Sequence, residues 1–172
     1  MVERRIQDAK FPSVKSLDSF DFLALPSLDD TLVRELTRSE YVLRRENVLA
    51  VGNSGTGNSH TGESHTALGR GLAACQNGLL VGYTTAAEPV HELIDACNEK
   101  RLLQLQRQFA CHKLLIIDER GFVPLSQTGA RLLFEVFSQR YECGSTVVTG
   151  NLPFDEWTEG VCFGASVRRA AR

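Results

Sequence analysis

Val48-Leu-Ala-Val-Gly-Asn-Ser-Gly-Thr-Gly-Asn-Ser-His-Thr-Gly-Glu-Ser-His65 is the stretch on which the fold is read. Residues 48–51 form a short apolar run of strand character, and a glycine-rich loop with the spacing Gly52-x4-Gly57 follows, with Ser59 two residues on. This is the spacing of the phosphate-cradling loop G-x-x-x-x-G-K-[ST], with Asn58 standing where that pattern has Lys. The segment then nearly repeats itself, because residues 56–60 (Thr-Gly-Asn-Ser-His) are followed directly by 61–65 (Thr-Gly-Glu-Ser-His). The second copy offers Gly57-x4-Gly62, then Glu63 at the Lys position, then Ser64. The candidate phosphate-binding residues are therefore Gly52, Asn53, Ser54, Gly55, Thr56, Gly57, Asn58 and Ser59 in one register. Gly62, Glu63 and Ser64 join them in the other, and neither register contains a Lys.

That substitution is a matter of charge. Backbone N–H groups of such a loop, with the N-terminus of the helix behind it, can cradle phosphates without any side chain. The Lys adds a positive point charge at the β- and γ-phosphates and offsets the negative charge that develops in phosphoryl transfer. Asn58 keeps a donor but no charge, and Glu63 repels phosphate. The bland alternative is a glycine-rich turn between strand and helix with no ligand.

Around this segment the chain alternates. Residues 48–51 read as a first strand, 66–75 as a helix stopped by Asn77-Gly78, and 79–84 as a second strand. Residues 88–100 carry Val90, Leu93, Ile94 and Cys97 at helical spacing, and 113–117 form an apolar run without alternation, as in a strand covered on both faces. A strong amphipathic helix over 126–141 and a fourth strand over 145–149 complete the pattern. Strands alternating with helices predict right-handed crossovers and a parallel, three-layer α/β sheet. Residues 1–46 read as an N-terminal arm followed by a helix over 28–44 that breaks near Ser39. Residues 160–172, without acidic residues or periodicity, read as an atypical, disordered tail.

A second motif lies at residues 114–119, Leu-Leu-Ile-Ile-Asp118-Glu119, an apolar strand ending in paired carboxylates. This is the Walker B arrangement. Asp118 at the carboxyl edge of the sheet can hold Mg²⁺, and Glu119 can polarise an attacking water. Together with Ser59 of the loop, Asp118 is the expected metal ligand. The fourth strand runs into Asn151, a polar residue placed to sense a γ-phosphate. The alternative readings are a solvated turn at Asp118-Glu119 and ordinary turn chemistry at Asn151.

Composition bounds the rest. With 172 residues and 42% hydrophobic content the chain can bury one sizeable core. Its net charge of −2 carries no global nucleic-acid signature, so DNA would have to meet local clusters such as Arg4, Arg5, Lys10 and Lys15, or Arg44 and Arg45. No apolar run reaches membrane-spanning length, and the start is too polar for a signal peptide. Five scattered cysteines without C-x-x-C spacing argue against a disulfide framework or zinc site and fit a cytoplasmic setting. His60 and His65 read as exposed residues of the repeat.

These motifs, with their surroundings, resemble the IstB-like ATP-binding proteins, helper ATPases of insertion-sequence transposition and AAA+ relatives of the helicase loader DnaC. The resemblance covers about residues 3–159. It rests on Arg4-Arg5-Ile6, Phe11-Pro12, Leu17-Asp-Ser-Phe-Asp-Phe22, Glu46-Asn-Val-Leu49, the glycine loop, Thr84-Thr-Ala-Ala-Glu88, the Asp118-Glu119 strand, Gly121-Phe-Val-Pro-Leu125, Arg140-Tyr-Glu-Cys-Gly-Ser-Thr146 and Asn151-Leu-Pro-Phe-Asp-Glu-Trp157. It implies a P-loop NTPase core of AAA+ type over residues 47–159 that binds ATP and Mg²⁺, with DNA and a transposase as partners and self-assembly into an oligomer. It assigns catalytic roles to Asp118, Glu119 and Asn151. The chain departs from the pattern at the missing Lys and at five residues inserted beside it. The fifth strand and lid that the resemblance implies after Trp157 have no counterpart in the sequence. The expectation is a sheet of about four parallel strands whose first strand is left as an open edge. Two other readings stay open: a non-functional remnant, and a catalytically silent module that modulates intact relatives.

Overall fold

Strand β3 (Leu114–Asp118) is buried at every position, because helices cover both faces of the sheet to which it belongs. The computed structural model describes residues 1–19, 30–51, 59–118, 127–150 and 167–169. Ahead of the sheet lie α1 (Val2–Asp8), a short 3-10 turn (Leu17–Ser19), α2 (Asp30–Thr37) and α3 (Glu40–Leu43). Then follow β1 (Asn47–Val51), α4 (Ser59–Gln76), β2 (Val81–Thr85), α5 (Ala87–Asn98), α6 (Leu102–Cys111), β3, α7 (Gln127–Arg140), β4 (Ser145–Gly150) and β5 (Val167–Arg169). The strands lie in the order β2-β3-β4-β1-β5, and every neighbouring pair is parallel.

The period of two along each strand sorts the core into two layers. Val48, Val81, Leu114, Ile116 and Val147 pack on the face covered by α1, α3 and α4, with Ala67, Ala74 and Cys75. Leu49, Leu115, Ile117 and Val148 face the other way, against Leu93 of α5, Phe109 of α6 and Leu132 and Val136 of α7. Helix α4 packs tightly at Gly71, where an added Cβ would stand 2.7 Å from Ile116 Cδ1 and 2.8 Å from the Phe11 ring.

Besides helix α1, which the sequence reading leaves unassigned, four features differ from that reading. Helix α4 starts at Ser59 rather than near residue 66, so the second copy of the repeat is helical; no Pro interrupts it, and Gly62 is its one Gly before Gly69. Helix α6, left unassigned by sequence, carries Leu102, Leu105 and Phe109 at helical spacing on the α7 side. His65 is half-buried rather than exposed, with Nε2 2.9 Å from the Ser16 carbonyl. Finally, β1 is not an open edge. Residues 167–169, inside the segment read as disordered, pair with it in the register Asn47↔Val167, Val48↔Arg168 and Leu49↔Arg169. Ladder pairing engages backbone groups, so a short arginine-bearing segment can cover an edge without apolar alternation. The break at Ser39 between α2 and α3 matches expectation, and Ser39 adopts φ 59° there.

Among the described residues two guanidinium groups are buried. Arg140, at the end of α7, donates from Nε to Thr146 Oγ1 at 3.3 Å and from Nη2 to the Ser145 carbonyl at 2.7 Å. Its Nη1 donates to the carbonyls of Phe109 and His112. Burial still brings its pKa down to about 10. Arg70 of α4 is only 1% exposed, and among the described residues its one hydrogen bond is a long one, Nη2 to Thr66 Oγ1 at 3.3 Å. Among the described residues its Nε and Nη1, both buried, have no hydrogen-bond partner. Burial lowers the Arg70 pKa, and the neighbouring Tyr41 phenol, raised to about 12 chiefly by its own burial, offsets little of that.

An unsatisfied buried donor costs about 1–3 kcal/mol, and more when charged. Arg70→Leu is therefore expected to stabilise the chain by about 2 kcal/mol or more, read as a higher denaturant midpoint with an unchanged slope. A lower midpoint would overturn this account of Arg70. A second expectation concerns pH. Burial, then the nearby Arg140, lowers the His112 pKa, and backbone carbonyls of Phe109 and Gln108 oppose the shift only in part. With the folded pKa below the unfolded value, the unfolded chain binds more protons as pH falls through about 6.5. Stability should then decline on acidification from pH 7, by at most about 1.4 kcal/mol per pH unit from this group. Unfolding curves of His112→Gln should lack that component.

Candidate functional site

In a strand, residues two apart share a face, and this rule builds the site. Asp118 continues Leu114 and Ile116, so its side chain turns to the α4 side of the sheet at the carboxyl end of β3. Thr149 continues Val147 on the adjacent strand β4, and the backbone register sets Asp118 opposite Thr149. Tyr83 continues Val81 on the other neighbour, β2, opposite Ile116. Three parallel strands thus deliver a carboxylate, a hydroxyl and a phenol to one face.

Helix α4 supplies the fourth group. Ser64 Oγ donates to Asp118 Oδ1 at 3.0 Å, and Thr149 Oγ1 donates to the same oxygen at 2.6 Å. Tyr83 OH donates to Oδ2 at 2.7 Å. The Asp118 residue is 2% exposed, and in its ionised form the carboxylate accepts from all three hydroxyls. Hydrogen bonds of this kind are what allow a carboxylate to sit away from water.

Ser64 and Ser59 are five residues apart on one helix. About 7.5 Å of helix axis separates them. Ser59, the serine the sequence reading offers as metal ligand, is the first residue of α4, and the contact with Asp118 is made by Ser64. Ser59, Gly62 and Glu63 all lie in the first turns of α4. Gly52, Asn53, Ser54, Gly55, Thr56, Gly57 and Asn58 fall outside the described residues, as do Glu119 and Asn151.

Hard oxygen donors suit Mg²⁺, so Ser64 and Asp118 fit the metal half of a magnesium–nucleotide site. The phosphate half fits less well. From Gly52 to Gly69 the chain has no Lys or Arg, and the next cation, Arg70, is enclosed in the core beside Thr66. Sequence reasoning missed Thr149 and Tyr83. The signal was available, since both sit on the Asp118 face by strand alternation, but which strands are neighbours had to be known first. Among the described residues no group of three or more His, Cys, Asp and Glu side chains is placed to hold a metal ion. No helix there is long and apolar enough to cross a membrane.

Comparison with known proteins bears on family and fold. The family model described as IstB-like ATP binding protein matches residues 1–168, and so extends into the segment that sequence reading set apart as a tail. A Geobacillus stearothermophilus protein named for ATP binding and insertion sequence IS5376 is 35% identical over 158 residues, 92% of this chain and 61% of that one. Its Pseudomonas aeruginosa counterpart, named for insertion sequence IS21, is 34% identical over 158 residues, 92% and 58% of the two chains. The chain thus spans about three-fifths of the length of these relatives. Among solved structures, AMPPCP-bound DnaA from Aquifex aeolicus superposes with a TM-score of 0.70 at 17% identity, over 94% of this chain and 51% of that one. The DnaC helicase loader does so with 0.60 at 17% identity, over 91% and 85%. At such identity the likeness is one of fold, and the fold is that of AAA+ P-loop proteins.

The Ser64–Asp118 contact can be tested without any ligand. Ser64→Ala removes a donor from a buried carboxylate and is expected to cost about 1.5–3 kcal/mol in urea unfolding. A cost below about 0.5 kcal/mol, the range of a surface substitution, would contradict the placement of Ser64.

Proposed function

The chain belongs to the IstB-like ATP binding protein family, and from that premise we propose that it is an ATP-binding helper of DNA transposition whose hydrolysis is impaired by the missing loop Lys. The observation that carries this reading is the Ser64–Asp118 hydrogen bond. In the phosphate-loop pattern the Ser or Thr on Mg²⁺ directly follows the Lys. If Ser64 is that residue, the second copy of the repeat is in register and Glu63 occupies the Lys position.

On this reading Ser64 and Asp118 hold the Mg²⁺ of a bound nucleotide, Glu119 orients water, and Asn151 senses the terminal phosphate. A bound Mg²⁺ supplies charge neutralisation between the phosphates. The chain itself then lacks the side-chain cation that would complete it, and Glu63 adds a charge of the wrong sign near the triphosphate. DNA, a transposase and further copies of the chain are the partners that family membership suggests, in the cytoplasm. DNA contacts would be made by local clusters such as Arg4 and Arg5 rather than by overall charge. The continuous two-layer core under an electrostatically incomplete site also favours a second reading, a nucleotide-silent module that joins intact relatives and modulates their assembly.

ATP turnover by four forms of the purified chain tests the proposal: unmodified, Asn58→Lys, Glu63→Lys, and a compact-loop form lacking residues 58–62 and carrying Glu63→Lys. The unmodified chain should turn over weakly or not at all. Glu63→Lys should help more than Asn58→Lys, and the compact form should gain most, by roughly 100-fold, the scale of one well-placed charge-stabilising group. Vigorous turnover by the unmodified chain would overturn the impairment. A larger gain from Asn58→Lys would assign the first copy instead.

A further inference from the structure

The Tyr83 phenol has no place in the phosphate-loop or Walker B patterns, yet it holds one of the two Asp118 oxygens at 2.7 Å. The other oxygen takes both Ser64 and Thr149. Three hydroxyls from three elements therefore occupy three of the roughly four lone-pair directions of the carboxylate. Of these three, the phenol is the one that reaches Oδ2, so it acts on the rotation of the carboxyl group about its Cβ–Cγ bond. Tyr83 is in turn anchored from outside the sheet. Its backbone N–H donates to the Ala9 carbonyl at 3.0 Å, and its ring meets Phe11 edge-on, with centroids 6.2 Å apart and planes at 66°.

We propose that Tyr83 is a positioning residue of the metal end of this site. It fixes the Asp118 carboxylate through Oδ2, and it links that carboxylate to the segment around Ala9 and Phe11. The inference rests on the nucleotide reading above for its functional consequence. Outer-shell partners that orient a metal-binding carboxylate typically matter about 10–100-fold in metal affinity. Tyr83→Phe keeps the ring, its contact with Phe11 and the backbone bond to Ala9, and removes only the hydroxyl.

The experiment compares the full chain with its Tyr83→Phe and Tyr141→Phe variants, each also in the compact-loop form. ATP binding is titrated with Mg²⁺ and measured again in EDTA, and the tyrosine difference absorbance is recorded as Mg²⁺ is added. The expected result is a rise of about 10-fold in the Mg²⁺ concentration at half-saturation for Tyr83→Phe, with ATP affinity in EDTA unchanged. A tyrosine difference signal should appear on Mg²⁺ addition, persist in Tyr141→Phe and vanish in Tyr83→Phe. A general loss of folding would instead lower ATP affinity in EDTA as well. Magnesium-dependent binding with the same Mg²⁺ midpoint in Tyr83→Phe overturns the proposal and leaves the nucleotide reading standing. If neither the unmodified nor the compact-loop chain shows Mg²⁺-dependent ATP binding, the nucleotide reading fails, and the role of Tyr83 fails with it.

Discussion

A carboxylate buried at the end of a central strand can persist only if its neighbours satisfy it, and Asp118 sets that condition for the whole sheet edge. Its donors come from α4, β2 and β4, so the helix and both neighbouring strands must reach the same point in space. The register of β3 against β2 and β4 fixes the height of Tyr83 and Thr149 relative to Asp118. The rotation and depth of α4 are then constrained by Ser64, and lower down by the close approach of Gly71 to Ile116 and Phe11. A slip of one residue in any strand would turn its donor to the opposite face.

That constraint also explains how the duplicated segment is accommodated. The second copy, residues 61–65, lies wholly within α4. The contact with Asp118 selects Ser64, and the residues before it continue the helix back to Ser59. Amides of residues near Ser64 then lie several positions inside the helix, where backbone bonds are made within the helix itself, and the unpaired N–H groups move to the turn that begins at Ser59.

The two buried arginines show what distinguishes a tolerated interior charge from a costly one. Arg140 meets two side-chain or backbone oxygens through Nε and Nη2 and two carbonyls through Nη1, and so ties the ends of α6 and α7 to the start of β4. No carboxylate is needed when planar donors find carbonyls in the right directions. Arg70, on α4 beside Tyr41, has the same charge and nearly complete burial, but among the described residues only Thr66 accepts from it. The difference lies in backbone geometry: strand starts and helix ends expose carbonyls to Arg140, whereas the middle of α4 keeps its own carbonyls engaged.

The alternation of apolar runs with helical patterns was enough to specify a parallel three-layer sheet. The unbroken apolar run of residues 114–117 was enough to place β3 inside it, because a strand covered on both faces has no polar side to display. The sequence also marked Asp118 and the Gly57-x4-Gly62 spacing, since both are local patterns. It could not choose between Ser59 and Ser64, because that choice depends on the angle at which α4 meets β3. Nor could it assign Thr149 and Tyr83 to Asp118, which requires knowing that β3 lies between β2 and β4. The covering of β1 by residues 167–169 was equally invisible. Strand pairing there uses backbone groups that every residue carries, so no side-chain pattern records it.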